Sequence, residues 1–142
     1  MFWVKLVEKR GDLLGAALVL PILAMIVFFV FDMSEKQIVR NAAAKAAREA
    51  ARIYAQQQDM SLAISKAEHT YEASSKGFGS LKSINITQTH DHLGSYAVAT
   101  VQASFRKGVF DFVWRLIGDS PPTSVTERKV YMIETTTGQR QF

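Results

Sequence analysis

The stretch from Leu13 to Phe31 reads LLGAALVLPILAMIVFFVF and contains no charged residue. Its length, about 19 residues or roughly 28 Å of helix, is close to the ~30 Å hydrocarbon thickness of a bilayer. A buried helix of a soluble protein is a poor explanation, because the remaining chain is too small to cover an apolar rod of this length. The stretch therefore predicts one transmembrane helix, which we assign to residues 12–33.

A cleaved secretory signal is an alternative explanation for this stretch. Its apolar part is usually about 7 to 15 residues long and ends in small residues at the cleavage site. Here the apolar run is longer and ends in large residues, Phe28 to Phe31, followed by Asp32. A released soluble domain, starting near Met33, remains the third of three hypotheses.

Two features inside the predicted span concern its packing. Pro21 removes the backbone donor opposite the carbonyl of Ala17, so we expect a slight kink or a locally melted turn. Gly15, Ala16 and Ala17 form a small-residue surface on which another helix could approach closely.

The charges that flank the span bear on its orientation. Lys9 and Arg10 precede it, whereas Asp32 and Glu35 follow it directly, which favours a cytoplasmic N-terminus. A wider count does not, because five basic residues also follow the span: Lys36, Arg40, Lys45, Arg48 and Arg52.

An alanine-rich segment follows, NAAAKAAREAARIYAQQQ from Asn41 to Gln58, and predicts a helix. Ser34 to Gln37 has the form of a capping box, which either restarts a helix or lies within one continuous helix. One face of the segment is charged and solvated, and another carries Ala42, Ala46 and Ala50. These alanines pack on their own domain or on a neighbouring subunit, and both can hold for different faces of the helix.

The rest of the chain predicts a second helix and a small sheet. Asp59 is a suitable N-cap and Gly77 a C-terminal stop for the helix, and residues 77–80 are predicted as a loop. From Ile84 the apolar period becomes two, with a turn at residues 91–95.

A second strand follows that turn, and one of its faces consists of Ala97, Ala99, Val101, Ala103 and Phe105. A short helix within residues 109–117 and a third strand at about residues 124–134 complete the prediction. The fold class is α+β: a long N-terminal helix that includes the span, packed with a second helix against an antiparallel sheet of about three strands. Residues 34–142 form the extramembrane domain.

The residues offer little chemistry. His90-Asp91-His92 is the one cluster of ligand-type side chains, and zinc sites normally need three or four ligands, so we predict no metal. The sequence has no glycine-rich phosphate loop, no serine elbow and no acidic pair in a recognisable motif, so we predict no cofactor and no enzymatic activity. The net charge of +4 is scattered, which gives no support to nucleic-acid binding. Trp114 lies in a predicted short helix with Phe110, Phe112 and Leu116. We predict that this helix packs its apolar side chains in the core, and an exposed interaction patch is the alternative.

The arrangement Lys9-Arg10-Gly11, followed by GAALVLPIL from Gly15 to Leu23, resembles TadE-like proteins, the pseudopilins or minor pilins of tight-adherence (Tad/Flp) pilus systems. The resemblance extends to the helix after the anchor and to strand patterns at residues 97–105 and 131–134. It implies a basic leader, residues 1–11, that prepilin peptidase cuts after Gly11, so that Asp12 becomes the N-terminus.

This sequence departs from the family at one position. The family usually has a glutamate shortly before ALVLP, where a carboxylate can neutralise a neighbour's terminal ammonium inside the bilayer. Here Gly15 stands at that place.

The leading functional hypothesis is a minor pilin or pseudopilin in the bacterial inner membrane, with its N-terminus inside and its C-terminal domain outside. Its partners would be the membrane, other pilin subunits in a homo- or hetero-oligomer, and prepilin peptidase. Leu13 to Phe31 would serve membrane storage and packing. The alternative is an unprocessed single-pass component of a secretion or conjugation apparatus.

Overall fold

The computed structural model describes residues 2–108, 111–116 and 118–133, and the side chains of residues 2–14, 113 and 114 are outside the description. The elements in chain order are α1 (Phe2–Gln57), α2 (Met60–Ser75), β1 (Gly79–Asp91), β2 (Gly94–Phe105), α3 (Asp111–Leu116) and β3 (Ser124–Ile133). Two helices before a three-stranded antiparallel sheet confirm the predicted α+β class.

Helix α1 runs through both places where the sequence suggested an interruption. It stays helical at Pro21, so the alternative of a melted turn there is wrong. It also continues through Ser34, which therefore lies inside one helix and does not begin a new one. The helix ends where Gln58 adopts φ 54° and its amide donates to the carbonyl of Tyr54 at 2.9 Å.

Helix α2 begins and ends at the predicted residues. Asp59 is its N-cap, and the carboxylate accepts from the amide of Leu62 at 3.0 Å. At the other end Lys76 and Gly77 both take left-handed conformations, which close the helix with the Phe78 amide donating to the carbonyl of Ser75.

The sheet has the order β1-β2-β3, and all its strands are antiparallel. Strand β1 begins at Gly79, which pairs with Phe105, so the prediction of a loop over residues 77–80 is wrong for its last two residues. A register shift between Leu81 and Ser83 interrupts the alternation of inward and outward side chains. The first part of the strand therefore could not be predicted from the apolar period. The predicted hairpin turn is confirmed at residues 92 and 93, whereas Asp91, Gly94 and Ser95 of the predicted turn belong to the strands.

The chain divides into two compact units, Met1–Ser34 and Glu35–Phe142. The core of the second unit consists largely of small side chains from α1, α2 and β2. The predicted inner face of β2 is confirmed, since Ala97, Ala99, Val101 and Ala103 are fully buried. Small residues bury little area each but let a helix lie close to a sheet, and this packing holds the unit together.

Helix α1 and the sheet approach each other closely at Gly79. A Cβ placed there would lie 2.7 Å from the backbone oxygen of Ser104 and 2.8 Å from both methyl carbons of Val39. Only glycine fits between α1 and the β1–β2 pair at this point.

Tyr71 is the largest fully buried side chain, on the inner face of α2. Its hydroxyl has no hydrogen-bond partner among the described residues, and burial raises the pKa of this phenol. The ring therefore contributes packing, while the buried hydroxyl opposes stability.

Candidate functional site

The apolar part of α1 is exposed on every side. Residues 15–31 are all exposed, and they include large side chains such as Leu18, Phe28 and Phe31, each at least 60% exposed. The helix between Gly15 and Gln57 is long and apolar enough to cross a membrane. Its most apolar window has a mean hydropathy of 2.5. An all-round apolar helix needs a covering of lipid or of other helices.

The small-residue surface lies at the start of this apolar part. A Cβ added at Gly15 would meet nothing within 4 Å, and Ala16 and Ala17 are exposed as well. The surface is therefore open to a helix from another molecule.

The processing residues belong to the same helix. The backbone of Lys9, Arg10, Gly11 and Asp12 is helical, as is that of Leu13. Their side chains are outside the described part of the chain, so the predicted leader and cleavage site stay predictions.

The alanines of the second half of α1 lie inside their own domain. Ala42 is 1% exposed, and Ala46 and Ala50 are completely buried. They pack in one cluster with Ala63 and Ala67 of α2 and with the inner face of β2. Of the two predicted roles for these alanines, the structure shows packing on their own domain.

The opposite face of this part of α1 carries charge. Lys45, Arg48 and Arg52 are exposed, and Arg52 donates to Glu49 at 2.7 Å. Arg40 Nε donates to Glu127 of β3 at 3.1 Å. The side chain of Arg40 is 62% exposed, so this pair is screened by solvent and contributes at most about 1 kcal/mol.

The histidine cluster forms a local surface network at the hairpin turn. His92 Nδ1 is 2.5 Å from the Asp91 carboxylate, and His90 Nδ1 is 2.7 Å from the Ser95 hydroxyl. Among the described residues, no group of three or more His, Asp, Glu or Cys side chains could hold a metal ion.

The apolar segment at residues 109–117 departs from its predicted role. Phe112 is 54% exposed and Leu116 is 85% exposed, so the prediction that they pack in a core is wrong for both. Phe110 and the side chain of Trp114 are outside the described residues. For the two described members, the alternative of an exposed patch is the correct one.

The outer face of the sheet carries apolar residues that sequence reasoning did not assign to any surface. Val98 is nearly buried between its neighbours Thr87 and Val130, whereas Val130 and Met132 are each about half exposed. The period of two in β2 could have predicted this surface, because it places Tyr96 and Val98 on the face of the sheet that does not carry the alanines.

One shallow cavity of about 230 Å³ lies in the described part of the extramembrane unit. Its lining consists of Gly77, Gly79, Ser80, Phe105 and Arg106. A single cation among glycines and one hydroxyl gives no arrangement for catalysis.

These features define a class: an α+β protein with one N-terminal helix that is long and apolar enough to cross a membrane. The family model of TadE-like proteins matches residues 16–52, which include most of the apolar stretch and the alanine-rich segment. The match confirms the resemblance stated from the sequence, and it shows that residues 16–52 are similar to TadE-like proteins. Comparison with curated proteins and with solved structures gives no match.

Proposed function

We propose that the chain is a TadE-like minor pilin or pseudopilin, a structural subunit in the assembly of a pilus or of a related secretion apparatus. The observation that carries the proposal is the family match over residues 16–52, because residues 16–31 of this region form an apolar helix exposed on every side. Such a helix can be stored in lipid and can later exchange lipid contacts for contacts with other helices.

The two halves of α1 have different tasks in this proposal. The half around Gly15, Ala16 and Ala17 is open, and it makes the contacts between subunits. The half around Ala46 is buried in the core of the extramembrane unit and belongs to that unit. In this proposal the alanines of this half stabilise their own unit, and the contacts with other subunits are made by the first half.

The proposed boundaries are those expected from the sequence and from the resemblance. Residues 1–11 are the leader, residues 12–33 are the membrane helix and residues 34–142 are the extramembrane domain. The chain sits in the inner membrane of a bacterium with its N-terminus in the cytoplasm. Its partners are other pilin or pseudopilin subunits and prepilin peptidase.

An unprocessed single-pass component of a secretion or conjugation machine is the second candidate. Gly15 favours it, since the family's glutamate is missing at that position. A subunit that stays in the membrane would have no need for a carboxylate that neutralises a neighbour's new terminus.

A substitution on the small-residue surface tests the assembly role. We expect Ala16→Phe to reduce the surface fibres of the native host by about tenfold or more, because a bulky side chain at a close helix contact typically costs about 1–3 kcal/mol. Phenylalanine is as apolar as the span, so the amount of protein in the membrane should be unchanged. Electron microscopy and the subunit content of sheared fibres measure the effect.

Leu18→Phe is the matched control. Leu18 lies about 200° around the helix from Ala16 and only about 3 Å along it, so it faces away at nearly the same depth. We expect normal fibres from this variant. Normal fibres in a strain that lacks the protein altogether would refute a role in assembly.

A further inference from the structure

The segment from Val109 to Ile117, which we name the α3 segment, reads VFDFVWRLI and is the most apolar stretch after the membrane helix. Its described apolar side chains, Phe112 and Leu116, are mostly exposed. We propose that the α3 segment docks on the headgroup region of the same bilayer in which α1 is anchored. The inference rests on that anchoring.

The position of the α3 segment within the extramembrane unit supports this. Helix α1 enters the unit near Val39, whose methyl groups lie close to Gly79 at the start of β1. Gly79 pairs with Phe105, the last residue of β2. The α3 segment therefore leaves the sheet at the end where α1 enters.

Backbone hydrogen bonds hold both ends of the connection at that place. The Arg106 amide donates to the carbonyl of Phe78 at 3.2 Å, and the Phe105 amide donates to the carbonyl of Thr123 at 3.0 Å. Arg106 and Thr123, the two ends of the connection between β2 and β3, are thus held close to the start of β1.

Few residues separate this end of the unit from the predicted span. Val39 follows Phe31 by only eight residues in the sequence. The headgroup layer on each side of the hydrocarbon is roughly 5–8 Å thick. In the proposed arrangement this short connection allows the α3 segment to reach the headgroup layer.

The chemistry of the segment fits a lipid interface. Phenylalanine and leucine insert at the boundary between headgroups and acyl chains, and tryptophan is enriched there. Arg106, Lys107 and Arg115 are exposed and outnumber the nearby acids, Asp111 and Asp119. Basic side chains beside inserted apolar ones favour an anionic membrane surface over a protein partner.

Tryptophan fluorescence gives a direct test, because the chain has two tryptophans, Trp3 and Trp114. The full-length Trp3→Phe variant is reconstituted in vesicles of about seven parts phosphatidylcholine to three parts phosphatidylglycerol, an anionic surface. We expect lipids brominated near the headgroup to quench Trp114 and aqueous acrylamide to quench it weakly. Adding Leu116→Glu should lower the ratio of docked to undocked segment by about tenfold, since burying a leucine is worth at least that factor.

Leu93→Glu in the same Trp3→Phe background is the matched control. Leu93 is 66% exposed in the hairpin turn at the opposite end of the sheet, so it should leave the quenching unchanged. A second control, Phe31→Trp with Trp3→Phe and Trp114→Phe, reports on the anchor itself. Quenching at position 31 without quenching of Trp114 would overturn the docking alone, whereas quenching at neither position would overturn the anchor.

A protein partner would give a different result. Trp114 would then be shielded from acrylamide but would not be quenched by brominated lipid, and the shielding would fall as the protein is diluted in the bilayer. That outcome would overturn lipid docking and assign the α3 segment to contacts between subunits.

Discussion

Gly79→Ala is expected to destabilise the extramembrane domain by about 3 kcal/mol, the upper part of the range for overpacked cores. The added Cβ would lie 2.7 Å from the Ser104 backbone oxygen, and a backbone atom in a paired strand cannot move aside cheaply. The two methyl carbons of Val39 block the other side at 2.8 Å. Relief would require α1 to move away from the sheet, and this would open the alanine core.

Urea denaturation of the full chain in mild detergent, followed by near-UV circular dichroism, measures this effect. Asn85→Ala is a suitable control, because Asn85 is exposed on the same strand and both residue types are poor strand formers. We expect the control to change the free energy of unfolding by less than about 0.5 kcal/mol. Equal midpoints for the two variants would show that the helix and sheet are not in close contact at Gly79.

Two charges in the middle of the apolar stretch are expected to abolish membrane integration. A lysine at the centre of a membrane helix costs roughly 2.5–3.5 kcal/mol on insertion scales, so Leu23→Lys combined with Val27→Lys should cost about 6 kcal/mol. Both positions are exposed in the structure, so packing within the chain does not explain their apolar character. Alkaline extraction of membranes should release the variant or show that it has been degraded.

The control for this variant is Leu23→Ala combined with Val27→Ala, which removes the same side chains without adding charge. We expect it to stay in the membrane pellet until detergent is added. A double-lysine protein that remains in the pellet, accumulating to normal levels, would contradict the assignment of the span.

The elements that could be predicted from the sequence have local signals. The apolar stretch is recognised by its length. Helix α2 is recognised by its N-cap Asp59 and its C-terminal stop Gly77, and the inner face of β2 by a strict alternation of small apolar residues. Each signal depends on neighbours along the chain, and each was confirmed by the structure.

The start of β1 was not predicted, because its signal is not local. The register shift between Leu81 and Ser83 breaks the period of two. What makes Gly79 a strand residue is its pairing with Phe105, which is 26 positions away in the sequence. The sequence around Gly79 favoured a loop because two glycines lie within three residues.

The roles of the surfaces were harder to predict than the elements. Ala16 and Ala46 are the same residue type in the same helix, yet one is exposed and the other is completely buried. Ala46 is buried because it packs with residues of α2 and β2 in the core of the second unit. Likewise, Phe112 and Leu116 have the composition of a core, and only their place at the end of the sheet shows that they are exposed.

The N-terminal mass of the mature protein, purified from the membrane of its native host, tests the central proposal of a processed pilin-like subunit most directly. We predict a chain that begins at Asp12, because the basic residues Lys9 and Arg10 followed by Gly11 form the expected leader. A mature chain that still carries residues 1–11 would contradict this proposal and would favour a permanent membrane component. A chain that begins near Met33 would contradict both, because the span would then be a cleaved signal.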